Sequence, residues 1–348
     1  MIKLNNRGVL PTGKVPSQSL LKTVLGHLGV PNARLLSGPA IGEDAAIIDM
    51  GEKVLVLATD PITAAIQNIG WLSVHINAND VATCGAKPLW FLNSILLPAQ
   101  ANEELLGIIM RQIDQAAHEL NISVIGGHSE VTLGLNHPII TGFMVGEASR
   151  DAYVTSSGAR PGDKIILTKQ AGIEGTAILA TDLANILENK LSATSFEKAK
   201  GLINEISIVR EAMLSVEVGG IDAMHDPTEG GVINGLWELA EASRVGVTVY
   251  EERIPILYET KAICNILNID PLKIMGSGAL LIVTKSNKVN AVKSSLEKDG
   301  IMASVIGEIT SLENGRKLIK ADGISTEIVP PEQDHVYKVL DELNINTF

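Results

Sequence analysis

The chain has 348 residues, of which 45% are hydrophobic, 20% are charged and only 3% are aromatic. This length predicts two domains, and this composition predicts a soluble globular protein with an aliphatic core. The formal net charge of −12 argues against binding to nucleic acid and against binding to an anionic membrane surface.

The amino-terminal segment, residues 1–18, is polar and is interrupted by glycine and proline, so we predict a flexible arm. Lys14 in this arm is a candidate phosphate contact, although a solvated lysine is the commoner explanation for a charge in such a segment. A short amphipathic helix over residues 17–29, capped by Ser17 or Ser19, is predicted to follow.

Two aspartates come next, each at the edge of an apolar run. Asp44 lies in GEDAA (42–46), which begins with Gly42, and Asp60 lies in TDPIT (59–63) after the predicted strand KVLVLATD. A strand that ends there delivers the side chain of Asp60 to one end of a sheet. The alternative for either aspartate is a turn or a helix cap, which is the more common role of a single such residue.

The segment GWLSVHINANDVATCGAKP (70–88) has apolar residues at helical spacing and is predicted to form a helix packed on a core. Its one acidic residue is Asp80, beside Asn79. A carboxylate on a mostly buried helix is costly unless it is hydrogen-bonded or binds a cation. Asp44, Asp60 and Asp80 together match the preference of Mg²⁺ for carboxylate, water and phosphate oxygens.

Residues 45–148 alternate between predicted strands and helices, including an amphipathic helix over 103–120, and form one α/β-type domain. Within it, GGHSEVT (126–132) follows the run ISVI. The backbone N–H groups of Gly126 and Gly127 suit a close approach to phosphates, although two glycines after a strand most often form a tight turn. The motifs that contain Asp44, Asp60, Asp80 and the pair Gly126–Gly127 follow one another in this order, and together they favour a nucleotide site.

A segment rich in serine, glycine and proline, residues 149–163, is the predicted domain boundary. We therefore divide the chain into an arm at 1–18, a first domain at 19–155, a second domain at 156–330 and a tail at 331–348. The second domain mixes strands and helices without strict alternation, so the predicted fold class is α+β.

The two cysteines, Cys84 and Cys264, are far apart in the sequence, which predicts neither a zinc site nor a disulfide framework. They favour a reducing, cytoplasmic setting. No apolar run approaches the roughly 20 residues that span a bilayer, and the amino terminus lacks the apolar core of a signal peptide.

HDPTEGG (225–231) is predicted to connect a strand to a helix. Backbone N–H groups at the start of such a helix can bind an anion, and His225 and Asp226 can orient a substrate or transfer a proton. The alternative is that Asp226 or Thr228 caps the helix and that His225 is a core residue.

Together, GEDAA, TDPIT, INANDVATCGAKP, GGHSEVT and HDPTEGG resemble the motif set of the AIR synthase (PurM)-related superfamily. Its members include aminoimidazole ribonucleotide synthetase, formylglycinamidine ribonucleotide synthetase, selenophosphate synthetase, thiamine-monophosphate kinase and the hydrogenase maturation protein HypE. The residues within these motifs are most similar to those of HypE and of HypE-like archaeal proteins, and the resemblance covers residues 38–320.

The resemblance implies a PurM-like two-domain fold in which the sheets of two first domains join into a barrel in a homodimer. It implies ATP and Mg²⁺ as cofactors and a reaction in which the γ-phosphoryl group activates an oxygen of a small acceptor. The implied metal ligands are Asp44, Asp60 and Asp80. The residues implied to bind the nucleotide are Gly42, Asp44, Asp60, Asn79, Asp80, Gly126, Gly127, Glu130 and Thr132. The implied catalytic pair is His225 and Asp226, and the implied acceptor-binding residues are Thr228, Glu229, Gly230 and Gly231.

The chain departs from HypE in two places. HypE carries a terminal cysteine whose thiol accepts a carbamoyl group, whereas the last cysteine here is Cys264, and HypE commonly has arginine at the position of Glu229. The favoured function is therefore an ATP-dependent phosphotransferase or ligase-type enzyme with a small acceptor. The alternatives are an enzyme similar to thiamine-monophosphate kinase or AIR synthase, and a non-catalytic nucleotide-binding partner in the maturation of hydrogenase or another metalloenzyme.

Overall fold

The computed structural model describes residue 10, residues 12–63 and residues 68–343. Its architecture is of the predicted α+β class, with two seven-stranded sheets formed one after the other along the chain and with helices packed against them. Among the described residues, no helix is both long enough and apolar enough to cross a membrane.

The first sheet contains the strands of the first half of the chain, which are β1 (Leu35–Ser37), β2 (Ala46–Asp49), β3 (Lys53–Ala58), β4 (Pro61–Ile62), β5 (Lys87–Leu97), β6 (Ser123–Val131) and β7 (Ile139–Ser149). Their order is β1–β2–β3–β7–β5–β6, and β4 also pairs with β7. Neighbouring strands are antiparallel except β5 and β6, which are parallel. β6 is therefore an edge strand, and all 9 of its residues are exposed.

Three helices belong to this half, namely α1 (Ser17–Thr23), α2 (Ile69–Thr83) and α3 (Glu103–Leu120). α3 is amphipathic as predicted, and Asn102 caps it by accepting a hydrogen bond from the Leu105 backbone N–H at 3.0 Å. In α2, by contrast, every residue except Trp71 is buried. α2 contacts the first sheet on one side and elements of the second half of the chain on the other.

Glycines on β7 let α2 lie close to the sheet. A Cβ atom at Gly142 would come within 2.3 Å of the Asn77 amide nitrogen, and one at Gly146 would come within 2.4 Å of a Val81 methyl carbon. Both glycines lie on the buried side of the strand. Since protein interiors are close-packed, a larger side chain at either position would push the helix away from the sheet.

The second sheet contains the strands β8 (Lys164–Thr168), β9 (Ile221–His225), β10 (Gly246–Tyr250), β11 (Leu281–Thr284), β12 (Ala303–Thr310), β13 (Arg316–Ile319) and β14 (Ser325–Glu327). Their order is β14–β13–β10–β12–β8–β11–β9. All neighbours are antiparallel except β10 and β13, which are parallel. β9 lies at one edge, and its last residue is His225.

The helices of the second half are α4 (Ile173–Asp182), α5 (Ala184–Leu187), α6 (Ala193–Gly201), α7 (Val209–Val218), α8 (Gly231–Ser243), α9 (Tyr258–Leu267), α10 (Val289–Lys298) and α11 (His335–Glu342). Helices α4, α6, α9 and α11 share one apolar cluster. Ala82 of α2 belongs to the same buried cluster as Ala212 of α7, so α2 contributes to the cores of both halves.

Two local predictions are wrong. The predicted helix over residues 17–29 is shorter, because α1 ends at Thr23, and neither predicted serine caps it, since its N-cap is Pro16 without a side-chain bond. GGHSEVT does not form a turn after a strand, because β6 continues to Val131. Pairing with β5 keeps this segment extended despite its two glycines.

The predicted domain bounds stay a prediction. The first sheet ends with β7 and the second begins with β8, so a division into 19–155 and 156–330 separates the two sheets. In the predicted arm, residues 1–9 and residue 11 lie outside the described residues, as do residues 344–348 of the tail. The described part of the tail contains α11, which matches the short helix predicted there.

Substituting Gly146→Ala should lower the free energy of unfolding by about 1–3 kcal/mol, because the new methyl group would overlap Val81 and the Lys87 carbonyl oxygen. Urea unfolding measures the change. Gly201→Ala is the matched control, since a Cβ atom there meets nothing within 4 Å. If the two variants are equally stable, the packing of α2 on the sheet does not require glycine at position 146.

Candidate functional site

Side chains from three elements meet where the two halves of the chain are in contact. His225 directs its Nδ1 atom to a carboxylate oxygen of Asp44 at 2.9 Å and its Nε2 atom to Glu238 at 3.1 Å. Asp44 lies in the loop before β2, and Glu238 lies on α8. His225 and Glu238 are buried, and Asp44 is partly buried.

Asp226 adds a second carboxylate directly after His225. Asp44, His225 and Asp226 each offer one ligand atom, and these atoms lie within 4.8 Å of one another. Asp226 is 1% exposed, and its Oδ2 atom has no hydrogen-bond partner among the described residues. A buried carboxylate oxygen without a partner is unfavourable unless it binds a proton or a cation.

Asp60 and Asp80 lie in the same electrostatic region. Burial raises the pKa of Asp80 well above its usual value, and the charges of Asp60, Asp226 and Asp44 raise it further. Burial also raises the pKa of Asp60, an effect that Lys14 opposes and Asp44 increases. For Asp226, burial and then the charge of Asp44 raise the pKa to about 7. The three predicted metal ligands therefore influence one another, and Asp226 joins them as a fourth carboxylate.

The position of Asp60 depends on α2. The Asn77 side chain accepts a hydrogen bond from the Asp60 backbone N–H at 2.7 Å and donates one to the Asp60 carbonyl at 3.2 Å. Its amide also donates to the carbonyl of Ser73, one turn earlier in the helix, at 2.8 Å. Asn77 therefore attaches the backbone on both sides of the Asp60 carboxylate to a buried helix.

His225 is held as an imidazolium between two carboxylates. Burial lowers the pKa of His225, but the charge of Asp44 and the hydrogen bonds to Asp44 and Glu238 raise it well above its ordinary value. Both ring nitrogens then act as donors. In this arrangement both nitrogens of His225 are hydrogen-bonded, so its side chain orients Asp44 and Glu238.

Lys14 connects the amino-terminal arm to this acidic region. Its ammonium group lies 3.3 Å from Glu238, and its backbone N–H donates to Glu229 at 2.6 Å. Partial removal from water lowers the pKa of Lys14, but the charges of Glu238 and Asp44 raise it by more. Burial raises the pKa of Glu238, yet Lys14 and His225 outweigh that effect and lower it to about 2.

Beside these groups lies a cavity of about 630 Å³. Asp60 and Leu72 line it from the first half of the chain, Glu174 and Glu229 line it from the second half, and Lys14 reaches it from the arm. A cleft of this volume between two halves of a chain is typical of a small-molecule site.

The donor set fits a complex of Mg²⁺ with a nucleotide. Mg²⁺ binds carboxylates, waters and phosphate oxygens, and Asp44 and Asp226 offer carboxylate oxygens within 4.8 Å of each other, with Asp60 and Asp80 in the same electrostatic region. The unpartnered Oδ2 atom of Asp226 is one available oxygen. Because both nitrogens of His225 are already hydrogen-bonded, the aspartates are the groups able to hold the metal.

Comparison with known proteins identifies the family. Residues 42–148 match the model of the N-terminal domain of AIR synthase related protein, and residues 160–319 match that of its C-terminal domain. A putative hydrogenase expression/formation protein of Methanocaldococcus jannaschii is 30% identical over 312 residues, which cover 87% of this chain and 90% of that protein. The chain belongs to the AIR synthase related protein family.

Two further comparisons show that this AIR synthase related chain is similar to HypE. The carbamoyl dehydratase HypE of Cupriavidus necator is 30% identical over 289 residues, or 80% of this chain and 79% of that protein. A crystal structure of the hydrogenase maturation protein HypE in complex with ATP superimposes with a TM-score of 0.70 at 24% identity and covers 94% of this chain and 98% of that one. The predicted PurM-like fold and the resemblance to HypE are confirmed.

In this AIR synthase related chain, GGHSEVT belongs to the edge strand β6. A Cβ atom at Gly127 would come within 2.5 Å of the Asn93 carbonyl oxygen, so the glycine permits close pairing of β6 with β5. Glu130 accepts hydrogen bonds from His128 at 3.0 Å and from Thr132 at 2.8 Å. Four residues of this segment that the sequence predicts to bind the nucleotide do not line the cavity in the described part of one chain. They are Gly126, Gly127, Glu130 and Thr132.

Asn79 has a structural role, and its predicted nucleotide contact stays a prediction. Its side chain is fully buried, donates to the Ile206 carbonyl at 2.9 Å and accepts from the Ile208 backbone N–H at 2.9 Å. Both ends of the amide are therefore used to attach α2 to the segment that precedes α7.

Gly42 brings the loop of Asp44 close to α8. Its φ is +81°, and a Cβ atom there would come within 2.7 Å of the Glu238 carbonyl oxygen. Only glycine fits this backbone and this distance without strain. The contribution of Gly42 is therefore to allow Asp44 and Glu238 to reach His225 together.

The start of α8 is not a free anion site. The Gly230 backbone N–H donates to Asp334 at 2.6 Å, and that of Gly231 donates to the Thr228 carbonyl at 3.1 Å. Both N–H groups are therefore already hydrogen-bonded in this arrangement, and their predicted binding of an anion stays a prediction. Thr228 and Glu229, the other two residues predicted to bind the acceptor, do line the cavity.

The sequence patterns miss Glu238, Asn77 and Ser156. Ser156 donates to the Met224 carbonyl at 3.1 Å and lies 3.5 Å from a carboxylate oxygen of Asp44. The sequence does contain one indication of a functional role for Glu238 and Asn77, because each is a polar residue on the apolar side of a helix. Glu238 interrupts the apolar run of α8, as Asn77 interrupts that of α2.

Without metal, the free energy of unfolding should decrease as the pH rises from about 5 to 8. The pKa of Asp226 is about 7 in the folded state and near 3.8 when unfolded, so between these values the folded state binds more protons. The contribution of Asp226 is on the order of 1–4 kcal/mol. Glu238 does not oppose this trend, because its lowered pKa affects stability only below about pH 4.5.

Urea unfolding at several pH values measures this dependence, and Asp226→Asn should make the slope shallower. Mg²⁺ should stabilise the parent more at pH 8 than at pH 6, since it competes with protons for the same oxygens. If the free energy of unfolding of the Asp226→Asn variant depends on pH as steeply as that of the parent, Asp226 is not the group responsible for the dependence.

Replacing Asn77→Ala should weaken Mg²⁺ binding at least about tenfold, because the backbone around Asp60 loses hydrogen bonds that fix it. Asn79→Ala is the matched control on the same helix, since it removes buried hydrogen bonds that do not involve Asp60. Calorimetric titration with Mg²⁺ on both folded variants separates the two effects. Equal weakening in both would mean that Asn77 acts only through general stability.

Proposed function

We propose that this protein is an ATP-dependent, Mg²⁺-requiring enzyme that transfers the γ-phosphoryl group of ATP to an oxygen of a small acceptor. The observation that carries the proposal is the carboxylate pair of Asp44 and Asp226, whose ligand atoms lie within 4.8 Å of each other. Asp60 and Asp80 interact with this pair electrostatically, and Asp60 lines a cavity of small-molecule size. Support also comes from relatives, since one is a carbamoyl dehydratase and a similar structure contains ATP. A reducing cytoplasmic location fits the two unpaired, buried cysteines.

Phosphoryl transfer requires position and charge compensation more than covalent chemistry from the protein. Bound Mg²⁺ supplies compensation for the phosphate charges. Asp44, Asp60, Asp80 and Asp226 would hold it, once Asp60, Asp80 and Asp226 lose the protons that their raised pKa values favour. The ammonium group of Lys14 is close enough to the same region to contact a phosphate oxygen.

His225 is proposed as a positioning residue. Its imidazolium donates to Asp44 and Glu238, so it keeps the Asp44 carboxylate directed to the metal position. The role in proton transfer predicted for His225 and Asp226 stays a prediction. Asp226, with a pKa of about 7, is better suited to accept a proton than the imidazolium is.

The acceptor is proposed to be a separate molecule, because neither cysteine is placed to serve as one. Cys84 is 2% exposed and Cys264 is 1% exposed. Burial raises the pKa of Cys264 to about 12 and raises that of Cys84 well above its usual value. A buried thiol of this kind is a poor nucleophile. The acceptor oxygen therefore comes from a molecule that enters the cavity.

A homodimer is proposed to complete the site. β6 is an exposed edge strand with exposed apolar residues, including Ile125 at 55% and Val131 at 58%. Such an edge attracts another strand unless it is protected. Pairing of two copies along β6 would cover these residues and would place GGHSEVT at an interface, where its nucleotide-binding role could be fulfilled.

A second candidate function is a non-catalytic nucleotide-binding partner in metalloenzyme maturation. One observation favours it, because the arm already lies in the region predicted for the acceptor, where Lys14 donates to Glu229. The name of the Methanocaldococcus jannaschii relative, a hydrogenase expression/formation protein, points to the same process. ATP turnover that no acceptor accelerates, together with a stable complex with another maturation protein, would select this function.

Asp80→Asn should abolish Mg²⁺-dependent stabilisation by ATP without weakening the fold. The neutral amide resembles the protonated acid that the raised pKa favours in the metal-free protein, but it carries no charge for the cation. Thermal unfolding with ATP, with and without Mg²⁺, measures the effect. Asp322→Asn, at an exposed turn, is the control. If the Asp80 variant is stabilised by Mg²⁺ and ATP as the parent is, the proposed metal site is incorrect.

A further inference from the structure

The amino-terminal arm brings a positive charge into the acidic region of the site. The ammonium group of Lys14 lies 3.3 Å from Glu238, which also accepts a hydrogen bond from His225 at 3.1 Å. Lys14 lines the cavity together with Asp60. Burial raises the pKa of Asp60 and of Asp80, and the charge of Lys14 opposes that rise for both aspartates. The ammonium group therefore favours the ionised form of the aspartates, as a bound divalent cation does.

A backbone hydrogen bond and a ring contact hold the arm in this position. The Lys14 backbone N–H donates to Glu229 at 2.6 Å. Gly13 has a φ of +100°, and a Cβ atom there would come within 2.8 Å of ring carbons of Tyr337. The hydroxyl of Tyr337 donates in turn to Glu229. Since a side chain at position 13 would not fit this backbone or this distance, Gly13 allows the arm to dock where its lysine reaches Glu238.

The segment around these contacts is held by little apolar packing. The helix α1, which follows the arm, has no buried residue. The side chain of Lys14 is 49% exposed, and ion pairs of such exposed groups contribute little to stability. A second cavity, of about 320 Å³, is lined by Pro16 of the arm and by Trp237 of α8. The arm can therefore leave its position without exposing much apolar surface.

A divalent cation would compensate the same negative charge that Lys14 compensates. Asp226 has a buried oxygen without a partner, and it offers a ligand atom within 4.8 Å of one from Asp44. Mg²⁺ bound there would add two positive charges to the region in which the charge of Lys14 acts. Like charges in a region partly removed from water repel each other. Binding of the metal therefore weakens docking of the arm, and docking of the arm weakens binding of the metal by the same factor.

We propose that the docked arm is an internal competitor of the divalent cation: Lys14 supplies positive charge to the metal-free site, and Mg²⁺ binding releases the arm. The inference rests on the proposed function for the identity of the cation. Release separates the ammonium group of Lys14 from Glu238, so that this group becomes available to a phosphate oxygen when the metal is in place. The arm thereby couples the position of its lysine to the occupancy of the metal site.

Calorimetric titration with Mg²⁺ alone, without nucleotide and at low ionic strength, tests the competition. Lys14→Met removes the charge and keeps an unbranched side chain, so it should strengthen Mg²⁺ binding about threefold or more. Lys22→Met, at an exposed position of α1, is the matched control and should keep the parental affinity. Unchanged or weaker Mg²⁺ binding by the Lys14 variant overturns the inference, because the lysine would then be indifferent to the metal or would assist it.

A second variant displaces the arm and keeps every charge. Gly13→Ala places a methyl group against the Tyr337 ring, so it should also strengthen Mg²⁺ binding. Gly26→Ala is the matched control, since a Cβ atom there meets nothing within 4 Å. Gly13 and Lys14 are exposed, so both variants should keep the parental fold, which their melting transitions verify. Parental Mg²⁺ affinity in Gly13→Ala overturns the inference.

Hydrogen–deuterium exchange measures release of the arm directly in the parent. The amide of Lys14 should exchange faster with saturating Mg²⁺ than without it, because its hydrogen bond to Glu229 is lost. The amides of α3 serve as the internal reference and should exchange at the same rate in both conditions. Equal or slower exchange of the Lys14 amide in Mg²⁺ overturns the inference.

These measurements separate the inference from the proposed function. Absence of Mg²⁺ binding in the parent and in Lys14→Met would remove both the metal site and the competition. Mg²⁺ binding with equal affinity in the parent and the two arm variants would leave the proposed enzyme in place and remove the competition alone. Competition between Mg²⁺ and the arm, without any stabilisation by ATP, would support the inference and count against the enzyme.

Discussion

Repulsion between carboxylates is the constraint on which the rest of the structure depends. Burial and the charge of Asp44 raise the pKa values of Asp60, Asp80 and Asp226 in a region largely removed from water. Charges placed so close together must be held there by the surrounding fold, because they would otherwise separate. Of the neighbouring cations, Lys14 is paired with Glu238, and His225 is shared between Asp44 and Glu238. An arrangement of this kind is stable when protons or a divalent cation are bound.

The fold holds these groups in place through α2. Glycines on β7 allow α2 to lie against the first sheet, while Asn77 fixes the backbone of Asp60 and Asn79 fixes the segment before α7. A single buried helix therefore determines both the position of one acidic group and the junction between the two halves of the chain. Since the second half supplies Asp226 and Glu238, the site forms only when both halves are packed on this helix.

The sequence predicts the family and the fold class, because these are expressed in local motifs and in the pattern of apolar runs, and its set of metal ligands, Asp44, Asp60 and Asp80, stays a prediction. It does not predict Glu238 or the role of Asn79. Glu238 is far from Asp44 in sequence, and their shared partner His225 becomes visible only when β9 and α8 are in place. GGHSEVT shows the reverse case, since a glycine pair that suggests a loop is kept extended by its pairing with β5. Local patterns cannot express such tertiary effects.

The burial of both cysteines gives a practical means of observing the arm. Cys84 and Cys264 are inaccessible, so new cysteines at exposed Gln18 and Lys338 would be the positions open to thiol-reactive dyes. Gln18 is the last residue of the arm that carries Lys14, and Lys338 follows Tyr337, whose ring lies close to Gly13 of the arm. Energy transfer between two such fluorophores would therefore report the separation of the arm from α11, read one molecule at a time.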